Sequence, residues 1–153
     1  MLNIRRRRPD PGWLRELPLF GGCDDRELER LEQLTSTYDV PPGKVLCRQG
    51  QFGHESFFVI SGEAEVAIDG VTIATLGPGS FFGEMALLDG SRRVASVTAL
   101  TPMKVLVSTS KELEMILTDV PRVARRMLTT MTGRLRLADR VLVPLDSQSS
   151  DAG

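Results

Sequence analysis

The feature that most constrains this chain is a change of hydrophobic period. From Thr35 to about Ser108, apolar and polar residues alternate in short runs, and Gly and Pro interrupt them every several residues. The runs are "TSTYDV", "KVLCRQ", "SFFVI", "EAEVAI", "VTIATL", "VASVTAL" and "KVLVS". A period of two marks strands with one buried face. "VPPGK", "SGE", "DGV", "GPGS" and "TPM" lie between or beside them as turns. "IDGVTI" carries the strongest hairpin signal, because Asp-Gly tolerates the positive φ of a two-residue primed turn. Short antiparallel strands in this number hide their edges by closing or pairing sheets, so a barrel or jelly roll is expected.

On either side the period is helical. "WLRELPLF" reads as a short helix ended by Pro18, and "CDDRELERLEQL" as a second one. Asp24 or Asp25 can cap the second, with Leu28, Leu31 and Leu34 on one side. After Thr109, "SKELEMIL" predicts a helix capped by Ser110, and "VPRVARRMLTTMTGRLRLADRVL" a longer one with Pro121 in its first turn. Ala124, Leu128, Met131, Leu135, Ala138 and Leu142 fall at heptad spacing. That seam fits either a homodimer through residues 121–142 or packing on the barrel.

Residues 1–12 form a basic arm whose Arg5–Arg8 run suits either solvent or a phosphate-bearing or acidic partner. Residues 144–153 are polar and expected to be disordered. The folded domain is therefore expected over residues 13–143.

Composition closes off several function classes. The chain has 153 residues, enough for one domain with a proper core. Its formal net charge of −1 gives no general attraction to nucleic acid. The chain ends soon after its last expected helix, so no winged helix is expected and DNA is not an expected partner. No apolar run reaches the length of a membrane span, and no apolar h-region follows the N-terminal arginines. Cys23 and Cys47 are expected to be reduced thiols of a cytoplasmic protein. A single histidine, His54, cannot supply a metal cluster, and no GxSxG setting accompanies it. Neither a metal nor an enzyme is expected.

The chemistry concentrates in "GPGSFFGEMALLDGSRRVASV", residues 77–97. "GEMALL" has no β-branched residue, which favours a helical turn over strand, and "DGSR" ends it. A short helix inserted between strands exposes the N–H groups from Gly83 to Ala86, which carry partial positive charge and suit anions. Gly83 lets a ligand approach the backbone closely. Glu84 in the first turn complements the helix dipole, worth about 0.3–1 kcal/mol. As an acceptor-only group it would also attract hydroxyls beside a bound anion. Arg93, expected at the start of the next strand, offers a planar fork of donors suited to phosphate. Two arrangements fit: a Glu84–Arg93 ion pair, or a ribose phosphate gripped by both. Arg92 is expected to face the opposite side and solvent.

"FGEMALLDGSRRVASV" resembles the phosphate-binding cassette of cyclic nucleotide-binding domains, whose pattern is F-G-E-x-A-L-L, a short variable stretch, then R, a small residue, A, Ser or Thr, and V. "LPLFGGCDDRELERL" is similar to that family's leading helices. "VPPGKVLCRQGQFGHESFFVISGEAEV" is similar to its first strands, with Gly50 and Gly62 in place, and "ELEMILTDVPRVARRMLTTMTGRLRLAD" resembles its closing helices. The resemblance implies an α+β fold: an antiparallel β-roll or jelly-roll barrel with N-terminal helices, a short phosphate-binding helix and two C-terminal helices.

The resemblance also implies roles. Glu84 would accept from the ribose 2′-hydroxyl, and Arg93 would pair with the cyclic phosphate. The amides of Gly83, Met85, Ala86 and Val94 would line the phosphate. Arg134, Ala138 and Asp139 would cover the base. Many members that favour cyclic GMP carry Ser or Thr where this chain has Val94. A guanine amino group without that partner costs about 1–3 kcal/mol, so cyclic AMP is expected over cyclic GMP. A second departure is "GQFGHES", where acidic residues are common; this loop is expected to be remote from the motif, and nothing is drawn from it. The implied function is a receptor module that switches its C-terminal helices toward a protein effector. The alternatives are a ligand-free interaction scaffold of the same fold, or an isolated sensor domain of a larger regulator.

Overall fold

The computed structural model describes residues 11–133. The two expected terminal segments, apart from Pro11 and Gly12, lie outside the described residues, as does the whole of Arg5–Arg8. Eight strands build two antiparallel four-stranded sheets. They are β1 (Ser36–Val40), β2 (Val45–Cys47), β3 (Glu55–Ser61), β4 (Ala64–Ile68), β5 (Val71–Leu76), β6 (Phe81–Phe82), β7 (Ser96–Ala99) and β8 (Met103–Thr109). One sheet runs β1-β8-β3-β6 and the other β2-β7-β4-β5. This is the expected β-roll.

The alternation of the strands divides the interior into two cores. Phe57 and Val59 of β3 and Val105 and Val107 of β8 point between the sheets, where they meet Val40, Phe82 and Val97. Phe58 and Leu106 point the other way, into a core shared with the helices. Strands β3 and β8 are therefore buried on both faces. The hairpin at Asp69-Gly70 joins β4 to β5, with Ile68 opposite Val71 and φ of 52° and 79° at the two turn residues. Both positive values are those a type I′ turn requires. Strand β6 has no counterpart among the expected strands. Its two residues are too few to show a period, and only their pairing with Phe57 and Phe58 defines it.

Five helices are described. α1 spans Pro11–Glu16 and is followed, after Leu17, by a 3-10 turn at Pro18–Phe20. α2 spans Asp25–Leu34. Asp24, not Asp25, caps it: the Asp24 carboxylate accepts from Glu27 N at 2.8 Å while Glu27 accepts from Asp24 N at 3.0 Å. Its Leu28, Leu31 and Leu34 are buried as the spacing predicts. α3 spans Glu84–Asp89 and α4 spans Ser110–Asp119. The cap of α4 is Thr109 rather than Ser110. At the extended end of β8 (ψ 170° at Thr109) the Thr109 hydroxyl accepts from Glu112 N at 3.2 Å, and the Glu112 carboxylate accepts from Thr109 N at 3.0 Å.

α5 is described over residues 121–133. Val123 and Met127 are buried against the helical core and Met131 packs partly on it. Leu128 is 63% exposed. The stripe that packs on the body thus lies one residue before Ala124 and Leu128 and shares Met131 with the heptad seam. The remaining seam residues, Leu135, Ala138 and Leu142, lie outside the described residues. Arg126 fastens α5 to the N-terminal segment by donating to the Pro18 carbonyl.

Candidate functional site

α3 is inserted between β6 and β7, and glycines in left-handed conformation flank it: Gly83 at φ 84° and Gly90 at φ 69°. A residue with a Cβ resists that conformation, so Gly83 can turn the chain sharply from strand into helix. Glu84, the first helical residue, is only 2% exposed. The first-turn N–H groups of a helix have no intrahelical acceptors, and in α3 these groups belong to Glu84, Met85 and Ala86. At the end of α3, the Asp89 carboxylate accepts from Ser91 N at 2.8 Å, and hydrogen bonds from Ser91 hold its carboxyl below the ordinary carboxylate range.

Arg93 is not part of the following strand, which begins at Ser96. It lies in a connecting segment paired with the loop after β2. Gly50 N donates to Arg93 O and Arg93 N to Gln51 O, both at 2.8 Å. An isolated bridge joins Phe52 and Arg92 alongside. Arg92 is exposed, as expected, with its guanidinium 4.6 Å from the Phe52 ring centroid and Nη1 donating to Gly50 O at 2.9 Å.

The Arg93 side chain turns inward and is 8% exposed. Nη1 donates to the Gly83 carbonyl at 2.7 Å and Nη2 to the Glu55 carbonyl at 2.6 Å. Two glycines make room for it. A Cβ at Gly53 would lie 2.0 Å from Arg93 Cζ, and one at Gly83 would lie 2.6 Å from Nη1. The loop "GQFGHES", expected to be remote from the motif, is instead a wall of the site, because folding brings Gly53 and the Glu55 carbonyl against Arg93. It supplies the glycine, the carbonyl and the backbone pairing that hold Arg93 in place.

Cys47 is buried in the core between the sheets, within reach of the charges of the site. Burial pushes its thiol up to about 11, with Arg93 drawing it down and Glu84 and Glu55 pushing it further up. Val94, next to Arg93, is 61% exposed. The structure therefore assembles Gly83, Glu84 and Arg93 around one short helix with the Met85 and Ala86 backbone in its first turn. Arg134, Ala138 and Asp139 lie outside the described residues. Sequence reasoning missed Gly53, Glu55 and Cys47. The paired glycines of the loop, Gly50 and Gly53, were the available signal.

A buried guanidinium, a buried carboxylate and helix-start amides can together hold an anion that also carries hydroxyls. Among the described residues, no three His, Cys, Asp or Glu side chains form a potential metal-ligand group. No described helix is long and apolar enough to cross a membrane.

Known proteins are similar to this chain in sequence and in fold. The chain is 37% identical over 108 residues to a cyclic nucleotide-gated potassium channel of Mesorhizobium japonicum, covering 71% of this chain and 30% of the channel. It is 38% identical over 103 residues to a cAMP-dependent protein kinase regulatory subunit of Yarrowia lipolytica, covering 66% of this chain and 28% of that subunit. The fold matches the catabolite activator protein of Thermus thermophilus with a TM-score of 0.75 at 32% identity, over 84% of this chain and 63% of that one. Each of these proteins is longer than the part this chain matches. The cyclic nucleotide-binding domain family matches residues 38–119, from within β1 to the end of α4, and the chain belongs to that family, as a β-roll of the catabolite activator and protein kinase A regulatory type.

Proposed function

We propose that this chain is a receptor module that prefers cyclic AMP to cyclic GMP and reports binding to a protein effector through its C-terminal helices. The observation that carries this reading is the burial of Arg93 in a slot beside buried Glu84. Two of the guanidinium N–H groups are held by the Gly83 and Glu55 carbonyls, which fixes the plane of the fork. The remaining donors pair with the cyclic phosphate, and the amides of Gly83, Met85, Ala86 and Val94 complete its shell. Glu84 accepts from the ribose 2′-hydroxyl. Val94 offers no hydroxyl to a guanine amino group, which favours adenine.

Arg134, Ala138 and Asp139 cover the base. The ligand then biases a two-state equilibrium, and it does so only as far as its affinities for the two states differ. The module itself performs no catalysis and works in the cytoplasm. Its folded domain covers residues 13–143, between a basic arm and a polar tail. The names of its longer relatives, a gated channel and a kinase regulatory subunit, support an output attached to such a domain. The exposed Leu128 supports a homodimer through residues 121–142.

Calorimetric titration with cyclic AMP and cyclic GMP tests the reading. Truncating a buried charge partner costs about 2–5 kcal/mol, and Arg93→Ala is expected to lose that much cyclic AMP affinity. A wild type that gives neither heat nor thermal shift with either nucleotide ends the ligand assignment. An Arg93→Ala protein that binds as well as wild type ends the site assignment alone.

A further inference from the structure

We propose that Gln49 is a positioning residue for the ligand site, holding Arg93 through the loop after β2 and anchored in turn by the β4–β5 hairpin. This rests on the reading of Arg93 as the phosphate partner. The side-chain amide of Gln49 makes a reciprocal pair with the hairpin turn: Nε2 donates to Asp69 Oδ1 at 2.9 Å, and Asp69 N donates to Gln49 Oε1 at 2.8 Å. The backbone of Gln49 is fixed from a third side, its N–H donating to Ser96 Oγ at 3.0 Å. The next two residues are the ones that clasp Arg93, through Gly50 N and Gln51 O.

Gly50 sits between anchor and clasp at φ 84°, with nothing within 4 Å of where its Cβ would be. Glycine is the most permissive residue for backbone rotation, so a pinned neighbour helps to keep the clasp in register, alongside the Arg92 Nη1 bond to Gly50 O. Gln49 is that pin. It belongs to neither hydrophobic core, so its amide contributes little to holding the sheets together. The pair reaches across 20 residues of sequence to the β4–β5 turn. Ligand sites demand that donors be held to within about half an ångström by their supporting shell. The Asp69–Gln49–Gly50–Gln51–Arg93 series supplies that support.

Charge rearrangement across the pair provides the test. Gln49→Glu sets two carboxylates against each other and removes the donor to Asp69. Adding Asp69→Asn restores a donor, so the double variant can re-form both bonds. Changes along such a network modulate binding by about 3- to 30-fold. Gln49→Glu is expected to weaken cyclic AMP by that factor and the double variant to recover it, while melting temperatures stay within about 4 °C. The Arg93 Nε–H resonance of the ligand-free protein, assigned by its loss in Arg93→Ala, should shift in Gln49→Glu and return in the double variant. Unchanged affinity in Gln49→Glu, or a double variant no better than the single one, overturns the proposal. If wild type binds no cyclic nucleotide, the receptor reading fails; an Arg93 resonance identical in all three proteins then overturns the Gln49 proposal too, and a resonance that shifts and returns upholds the positioning of Arg93.

Discussion

The Arg93 guanidinium fills the space a side chain at Gly53 would need, with Cζ 2.0 Å from the Cβ position. The clash falls on the far end of a flexible side chain, so Gly53→Ala can be relieved by swinging Arg93 out of its slot. The fold then loses little and the ligand loses its phosphate partner. Gly53→Ala is expected to lower cyclic AMP affinity by at least about tenfold, or about 1.4 kcal/mol, with a melting temperature within a few degrees of wild type. Calorimetry and thermal denaturation of the same preparation check both halves.

Glu84 separates ribose from deoxyribose. A hydrogen bond to a charged acceptor contributes about 1.5–3 kcal/mol, so wild type should bind cyclic AMP roughly tenfold or more tightly than 2′-deoxy cyclic AMP. In Glu84→Gln that preference should shrink sharply. Parallel titrations with the two nucleotides give the difference directly, and a preference unchanged by the substitution would detach Glu84 from the 2′-hydroxyl.

Much of this was legible in the sequence, and the gaps have physical causes. Strands β3 and β8 were legible as short aromatic and β-branched runs bounded by turn residues, and the runs are continuous because each strand presents a face to a separate core. Asp69-Gly70 announced its turn through backbone chemistry alone. Strand β6 was invisible because Phe81 and Phe82 carry no period and are strand only by pairing with β3. The same limit applied to the site. Gly83, Glu84 and Arg93 lie within one continuous motif, but Gly53 and Glu55 reach Arg93 only by folding, across 38 residues in the case of the Glu55 carbonyl. The cap of α4 moved from Ser110 to Thr109 because the end of a strand, not composition, decides which hydroxyl meets the first free amides.

Val94 offers a specificity test that leaves the fold alone, since its side chain is 61% exposed. Val94→Thr supplies a hydroxyl where members favouring cyclic GMP carry one. Satisfying a previously unpaired amino group recovers about 1–3 kcal/mol. Cyclic GMP affinity is expected to rise by that amount while cyclic AMP affinity changes little. Competition between the two nucleotides measures the shift, and an unaltered ratio would remove Val94 from base selection.

Cys47 makes the site's interior sensitive to alkali. Burial raises its thiol from 9.0 to about 11 in the folded protein. Between those values the unfolded chain has already released the proton that the folded chain still holds, so stability falls as pH rises. Below pH 9 both states are protonated and the contribution is fully present; it is lost as the pH passes through 11. Each unit of separation corresponds to about 1.4 kcal/mol, which sets the expected loss at about 2–3 kcal/mol across the window. Cys47→Ala removes the titrating group. It should start less stable, because it leaves a cavity, but its stability should decline less steeply than that of wild type between pH 8.5 and 10.5. Urea denaturation at several pH values compares the two slopes, in which the tyrosine and lysine titrations common to both proteins cancel. Equal slopes would mean that the Cys47 thiol ionises in the folded protein as readily as in the unfolded chain.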